Sequence, residues 1–188
     1  MAYHHGNLRA ELLDAAAETI AAGGVEGLSL RDLARRVGVS HAAPAHWFGD
    51  RAGLLTAVAA DGFARLADDL EAAAAPGGGL LEAGIAYVRF ATADRGRFDV
   101  MFRPGLLRGD DPDLRAAQER AAAELRSAAA GVPGDAGTAG LAAWSLVHGL
   151  ATLWNSGAVQ DDAPVEEVAR RVASVLAPPG PAPAGGDR

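Results

Sequence analysis

Apolar residues recur at the spacing of a helix along almost the whole chain, and no segment shows the strict alternation typical of a strand. The first helix is predicted over about residues 8–22. Ser29 is a good N-cap for a short second helix, and Gly38 is expected to end it. Ser40 is predicted to cap a third short helix that runs to about Phe48. The chain is therefore predicted to begin with three helices joined by tight turns.

The rest of the chain carries similar signals for the starts and ends of helices. Asp111 followed by Pro112 is typical of a capped helix start, and Pro164 followed by acidic residues opens the last helix. The later helices are predicted over about residues 51–75, 80–93, 98–102, 112–130, 135–155 and 165–176. The closing stretch APPGPAPAGGDR, residues 177–188, is rich in Pro, Gly and Ala and is predicted to be a disordered tail. The pattern predicts an all-α fold.

The amino-acid composition excludes several classes of protein function. The chain of 188 residues contains no cysteine, which excludes disulfides and thiolate chemistry, and its 17 basic residues are all arginine. Without lysine it has neither a Walker phosphate loop nor a Schiff-base nucleophile. No apolar run is long enough to cross a bilayer or resembles a signal peptide, so we expect a cytoplasmic protein without a membrane partner. The net charge of −7 does not by itself indicate nucleic-acid binding.

The stretch SLRDLARRVGVSHAAPAHWF, residues 29–48, has the layout of a helix-turn-helix. Ala34 is small where two helices would cross closely, and Gly38 can adopt the positive φ that a tight turn needs. This segment carries three arginines and one acidic residue, whereas residues 1–51 as a whole carry five arginines and six acidic residues. An ordinary helical hairpin in a core has the same layout, so the spacing alone leaves both interpretations open.

Residues 8–70 resemble the DNA-binding domain of the TetR family of transcriptional regulators. The resemblance lies in LLDAAAETIAAGGVEGLSLRDLARRVGVS, in Phe48 and in GDRAGLL, and the opening YHHGNLR is similar to the start of one subgroup. Further along, AWSLVHG, residues 143–149, resembles a TetR C-terminal domain type named for its Trp-His-Gly residues. Together these stretches span most of the chain that precedes the predicted tail.

The resemblance implies a DNA-binding surface with phosphate contacts at the starts of the second and fourth helices and base contacts at the start of the third. Its residues would be Ser29, Arg31, Ser40, His41, Ala42, Ala43, His46 and Arg51. Tyr3, His4 and His5 are expected to form an arm beside the DNA. These expectations rest on the family pattern, and the helix N-termini would support them physically.

The sequence departs from the family pattern near the end of the third helix. Ala45 stands where the family usually has a tyrosine that contacts the DNA backbone, and Trp47 stands where it has a histidine. We predict that Trp47 and Phe48 pack the third helix onto the first and fourth helices. Pro44 is expected to lie in the first turn of the helix, where few backbone donors have helical partners.

The resemblance also implies a pocket for a small-molecule effector among the C-terminal helices. Its candidate residues are Phe90, Phe98, Met101, Phe102, Trp144 and His148. Plain core packing explains each of them equally well. No cofactor or metal is predicted, because the adjacent His4 and His5 lack nearby carboxylates and a capped helix start explains the acidic residues Asp110, Asp111 and Asp113.

A homodimer is predicted to form through the last two long helices. The helix over about residues 135–155 is apolar on two sides, one of which is expected to pack in its own domain and the other on a partner. The first side holds Leu141, Trp144, His148 and Ala151, and the second holds Ala143, Val147, Leu150 and Trp154. The apolar stripe of residues 165–176 would complete a four-helix interface.

The expected organisation is a helix-turn-helix DNA-binding domain over residues 1–50 and a helical effector-binding and dimerisation domain over residues 51–176. The resemblance implies a ligand-responsive transcriptional regulator, and we expect a repressor that acts as a homodimer on a palindromic DNA operator. The alternative is a helical dimeric protein-interaction module with weak or lost DNA binding, which Ala45 and the low positive charge favour. A helical enzyme is a third class, for which the sequence holds no supporting motif.

Overall fold

The computed structural model describes residues 8–74, 79–130 and 135–176. Within these ranges the chain forms nine α-helices and three short 3₁₀ turns, and no described residue lies in a strand. The α-helices are α1 Leu8–Gly23, α2 Leu30–Val37, α3 Ala42–Phe48, α4 Arg51–Ala73, α5 Leu80–Ala93, α6 Arg95–Met101, α7 Pro112–Ala129, α8 Ala136–Asn155 and α9 Val165–Ala173. The 3₁₀ turns are Val25–Gly27, Pro104–Leu106 and Ser174–Leu176. Tyr3, His4, His5 and the predicted tail of residues 177–188 lie outside the described residues.

Two helix starts carry the side-chain caps that the sequence predicts. The Ser29 hydroxyl accepts a hydrogen bond from the Asp32 N–H at 3.3 Å at the start of α2. The Asp111 carboxylate accepts one from the Leu114 N–H at 3.0 Å, and Pro112 occupies the first position of α7. Each cap satisfies a backbone donor that has no partner within the helix, so these boundaries are determined locally.

The prediction that Ser40 caps the third helix is wrong. The N-cap residue of α3 is His41, and no side chain caps the helix. His41 already has φ of −59° and ψ of −22°, and the Ala43 N–H donates to the Ser40 carbonyl at 3.0 Å. The turn therefore uses the main chain of Ser40, and its exposed hydroxyl makes no hydrogen bond to any residue that the structure describes.

The long helix α4 connects the N-terminal helices to the rest of the fold. It contacts α1 and α3 and packs against α7, α6 and α5. Helix α5 lies at the centre of the C-terminal part, where α4, α8 and α9 surround it. Residues 83–88 of α5 are all buried, so this helix has apolar contacts on every side.

Helices α8 and α9 bury several side chains within their own subunit. Ala151, which was predicted on the same side as Leu141, is completely buried, whereas 59% of Leu141 is exposed. Ala143, Val147 and Leu150 on the second predicted side are buried as well, so both sides pack within the subunit and the prediction that one of them faces a partner is wrong. Val168 of α9 is also buried, because α9 packs against α5. Most of the α9 stripe is thus used inside the subunit.

The described helices include none with both the length and the apolar character that a membrane crossing requires. Across the same residues, no cluster of three or more His, Cys, Asp or Glu side chains is arranged to hold a metal ion.

Candidate DNA-binding surface and ligand cleft

Helices α2 and α3 form the helix-turn-helix. Ala34 on α2 is completely buried, and Gly38 ends the helix with φ of 76° in the left-handed region. The N–H groups of Gly38 and Val39 bond back to α2, with the Val39 nitrogen 3.0 Å from the Ala34 carbonyl oxygen. A side chain at Gly38 would be strained in this conformation, so the glycine is required by the turn.

Helix α3 docks through one narrow face. Pro44 and Phe48 lie one turn apart and are both buried. Pro44 is the third residue of the helix, where the missing N–H would have no helical partner. The prediction that Trp47 also anchors the helix is wrong, because 43% of Trp47 is exposed. Only Phe48 of the two aromatic residues serves as an anchor.

The opposite face of α3 is open. His41, Ala42, Ala45 and His46 are exposed together with Trp47, and the His46 and Trp47 rings meet edge to face with their centres 6.0 Å apart. Ala43 and Ser29 are half-buried. The surface therefore presents small side chains and two imidazoles along α3, and an indole near its end.

The arginines of α2 differ in their partners. Arg35 pairs with Asp32 at 2.8 Å, and Arg36 pairs with Glu18 on α1. Arg31 is exposed and forms no ion pair with any residue in the described part of the chain. Arg31 is thus the α2 cation that is available to a phosphate without first losing an internal contact.

Arg51 already has partners inside the fold. Its Nη2 donates to the Val25 carbonyl at 2.7 Å and its Nε to the Leu28 carbonyl at 3.2 Å, and Glu26 lies 3.8 Å away. These bonds tie the first residue of α4 to the connection between α1 and α2. Arg51 therefore has a structural role beside the phosphate contact that the family pattern implies.

An apolar cleft of about 600 Å³ opens among α4, α5, α7 and α8. Its lining residues are Phe63 and Leu66 of α4, Tyr87 of α5, Met101, Phe102 and Pro104 at the end of α6 and beyond it, Gln118, Ala121, Ala122, Leu125 and Arg126 of α7, and Gly140, Leu141, Trp144 and His148 of α8. The volume lies within the range of about 300–1,000 Å³ that is usual for small-molecule sites.

The structure places four of the six predicted pocket residues in this cleft. They are Met101, Phe102, Trp144 and His148. Phe98 lies behind them, with its ring centre 5.2 Å from that of His148 and 5.3 Å from that of Phe102. Phe90 is not brought to the cleft, since it lines a separate cavity among α1, α4, α5 and α6.

Tyr87 organises the polar groups of the cleft. The Trp144 Nε1–H donates to the Tyr87 hydroxyl oxygen at 3.1 Å, and that hydroxyl lies 2.9 Å from His148 Nδ1. Burial lowers the pKa of His148 and raises the pKa of Tyr87, which favours a neutral imidazole and a protonated phenol. The phenol can then donate to Nδ1, so these polar atoms satisfy one another and leave the cleft interior apolar.

Two contacts join the region beside the cleft to the N-terminal helices, and the first runs from α6 to α1. The buried Arg97 bonds Asp14 of α1 at 2.5 Å, Asp61 of α4 at 2.7 Å and Asp94 at 3.0 Å. Burial would lower the pKa of Arg97, but the three carboxylates outweigh it and the pKa is raised. Gly96 lies against α1 so closely that a Cβ would be 1.9 Å from the Ala17 carbonyl oxygen.

The second contact reaches the corner between α3 and α4. The Arg108 guanidinium pairs with Asp50 at 2.8 Å, and the Arg108 N–H donates to the buried Thr56 hydroxyl at 2.9 Å. Asp50 also caps α4 through the Gly53 N–H, a bond that lowers the pKa of Asp50. Since Pro104 lines the cleft, the short segment from Pro104 to Arg108 spans from the cleft to the end of α3.

Comparison with known proteins identifies both parts of the chain. Residues 12–58 match the bacterial regulatory proteins of the tetR family, and residues 80–176 match the tetracyclin repressor-like C-terminal domain. That description does not name the Trp-His-Gly type, which stays a prediction. No curated protein matches the chain.

Solved structures share this architecture. A protein of unknown function from Rhodococcus sp. RHA1 is 37% identical, with a TM-score of 0.77 over 93% of this chain and 95% of that one. The TetR family transcriptional regulator PfmR from Thermus thermophilus is 24% identical, with a TM-score of 0.70 over 89% and 94% of the two chains. FadR from Bacillus subtilis, solved in complex with stearoyl-CoA, is 15% identical, with a TM-score of 0.69 over 89% and 96%. With its helix-turn-helix and both sequence matches, the chain belongs to the TetR family of transcriptional regulators.

Proposed function

We propose that this regulator is a ligand-responsive repressor that binds a palindromic DNA operator as a homodimer. The observation that carries the proposal is an open recognition helix in the same chain as an apolar cleft of about 600 Å³, with Arg97 and Arg108 joining the α6 region beside the cleft to α1 and to the corner between α3 and α4. Fixed contacts between two sites allow ligand binding at one to change affinity at the other. FadR, which shares the fold, was solved in complex with stearoyl-CoA, and this supports a ligand site in the family.

The proposed DNA contacts use the exposed face of α3. Ser40 and His41 would hydrogen-bond base edges, and Ala42 and Ala43 would touch thymine methyl groups. Ala45 has no hydroxyl for a phosphate, but the neighbouring Trp47 carries an indole N–H, which is a hydrogen-bond donor. The exposed position of Trp47 supports a backbone contact by the indole in place of the usual tyrosine.

Substitution of Arg31 tests DNA binding most cleanly, because Arg51 also holds the backbone of its own subunit. We expect Arg31→Gln to weaken binding to operator and random DNA alike, because phosphate contacts carry no sequence information. The slope of log affinity against log salt should become shallower by about 0.9 for each lost contact. The measurement is a fluorescence anisotropy titration with DNA that flanks the gene and with a random duplex, at several salt concentrations.

Arg115→Gln is the matched control, since Arg115 is exposed on α7 and the variant has the same net charge. It should bind both DNAs as the wild type does. An unchanged affinity and slope in Arg31→Gln would show that Arg31 does not contact DNA. If the wild-type protein binds neither DNA at low salt, the proposed function fails and the interaction-module alternative is favoured.

Ligand binding is proposed to release the operator by changing the spacing of the two recognition helices. In a symmetric dimer these helices must lie about 34 Å apart, or a multiple of this, to enter successive major grooves. A ligand shifts this equilibrium only if it binds better to the wrongly spaced state. Met101 and Phe102 at the end of α6 would sense the ligand, and Arg97 would carry the movement to α1 and α4.

The homodimer is proposed to form through the outward face of α8. Ala142, Ser145 and Thr152 are exposed on this face with Leu153, which is 47% exposed. Gly149 lies among them, and a Cβ there would meet no described atom within 4 Å. Small side chains on one helix face allow a symmetry-related helix to approach closely, which suits a two-fold interface.

Gly149→Glu is expected to convert the dimer to a monomer. Two carboxylates would face each other across the two-fold axis in a desolvated interface, while the subunit itself has room for the side chain. Sedimentation velocity at micromolar concentration measures the oligomeric state. Ala22→Glu, at an exposed position of α1, is the control and should stay dimeric. A dimeric Gly149→Glu protein would show that this face of α8 is not the interface.

A further inference from the structure

The cleft is asymmetric in its charge. Among the described residues that line it, Arg126 carries the one full formal charge and no carboxylate is present. Gln118 lies two turns earlier on the same helix α7 and is neutral. The lining therefore offers an apolar interior with a cation on α7, and it offers nothing that would balance a positively charged ligand.

Three polar groups of the interior already have hydrogen-bond partners. The Tyr87 hydroxyl, the Trp144 indole N–H and His148 Nδ1 bond to one another. A ligand that competes for them would break this network, whereas an apolar chain would pack against the aromatic rings without breaking it. These contacts favour an apolar ligand body, and among the described lining residues Arg126 is the charged donor for an anionic head group.

Arg126 retains donors for such a group. Its side chain is 62% exposed, and its Nη2 donates to Glu119 on the surface at 2.5 Å. A guanidinium has five N–H donors, so the pair with Glu119 leaves other donors for an anionic oxygen. An exposed pair of this kind contributes only up to about 1 kcal/mol, so a ligand can share or displace it.

We infer that the ligand of this cleft is an amphiphile with an apolar body and an anionic oxygen head group that Arg126 binds. The inference rests on the proposed function, since it names the class of effector that the regulator senses. A carboxylate and a phosphate ester offer the same head-group chemistry, and both fit a cation beside an apolar cleft. A cationic amphiphile fits less well, because its head group would lie beside the Arg126 cation, and the neighbouring Glu119 carboxylate lies outside the cleft lining and already pairs with Arg126.

The test compares probes that share one alkyl chain and differ in the head group. Decanoate, decyl phosphate, decanol and decylammonium are titrated into the wild-type protein without DNA, with calorimetry and the fluorescence of the cleft residue Trp144 as readouts. We expect both anions to bind roughly fivefold more tightly than decanol, which corresponds to an exposed charge contact. Decylammonium should bind most weakly. The tighter of the two anions identifies the head group.

Variants of α7 separate the charge contact from general binding. Arg126→Gln should reduce the affinity for both anions to the affinity for decanol, and the affinity for decanol should not change. Arg126→Glu should bind decylammonium more tightly than decanoate. Arg115→Gln, on the same helix but outside the cleft, should change none of these affinities. Equal loss in Arg126→Gln and Arg115→Gln, equal binding of decanoate and decanol, or no binding of any probe would overturn the inference. Operator binding is measured separately, so a failure here leaves the DNA-binding proposal standing.

Discussion

Gly96→Ala is expected to destabilise the protein by about 3 kcal/mol, because the new side chain cannot be accommodated by a rotamer change. The Cβ would lie 1.9 Å from the Ala17 carbonyl oxygen and 2.7 Å from the carbonyl carbon, both of which belong to the backbone of α1. Either α6 or α1 must move, and the bonds of Arg97 to Asp14 would lengthen with it. Urea unfolding gives the change in midpoint, and an unchanged slope would show that the unfolded state is unaffected.

Gly105→Ala provides a matched control within the same region. A Cβ at Gly105 would meet no described atom within 4 Å, and its φ is not in the left-handed region. Its free energy of unfolding should stay within about 0.5 kcal/mol of the wild-type value. Equal effects of the two substitutions would contradict the close contact between α6 and α1.

Arg97→Met is expected to destabilise the protein by about 3 kcal/mol, the lower end of the cost of removing one partner of a buried ion pair, because Arg97 is buried but its carboxylate partners are partly exposed. Methionine retains much of the apolar volume but removes the buried cation from Asp14, Asp61 and Asp94, of which the first two keep only their pair with Arg65. Asp61 and Asp94 are only 30% and 21% exposed, so water can replace only part of the lost bonds. Chemical denaturation monitored by circular dichroism measures the loss.

Arg65→Met is the corresponding control, because Arg65 pairs with two of the same carboxylates from the surface. Its guanidinium lies 3.1 Å from Asp14 and 2.9 Å from Asp61, but 46% of the side chain is exposed. Exposed pairs contribute up to about 1 kcal/mol, so the expected loss is several times smaller than for Arg97→Met. Equal losses would mean that burial of the cluster does not determine its strength.

The helix boundaries could be predicted because their causes are local. Ser29, Asp111 and Gly38 act within one turn of their own positions, and the structure confirms each of them. The cap at Ser40 failed because His41 already adopts helical angles and the main chain of Ser40 closes the turn. A serine that precedes a helix is a typical N-cap. The sequence does not show, however, at which residue the backbone changes from extended to helical angles.

The residues that line the cleft could be predicted only in part. Phe90 and Phe98 are close in sequence, yet α5 is surrounded by other helices and directs Phe90 toward a different cavity. Tyr87 was missed for the same reason, since a helix that is buried on all sides shows no contrast between faces. Trp47 was misplaced because Pro44 and Phe48, spaced by four, already complete the docking face of α3.

The cluster around Arg97 could not be predicted from the sequence. Asp14 lies 83 residues before Arg97 and Asp61 lies 36 residues before it, so the contacts depend on the packing of α1, α4 and α6. Many arginines and acidic residues along the chain share the same local pattern, and most of them form exposed pairs. Only the tertiary fold distinguishes the buried cation from the others.

The location of Gly96 and Arg97 has a consequence for the evolution of new specificities. Neither residue lines the ligand cleft, although Met101 on the same short helix does. Under the proposed function, the residues that contact the ligand are therefore different from the residues that transmit ligand binding to the N-terminal helices. Side chains such as Phe63, Leu66 and Leu125 could be exchanged to accept a different molecule while the transmitting contacts remain intact. A library that varies these three positions and keeps α6 constant is a suitable starting point for a biosensor with altered ligand selectivity.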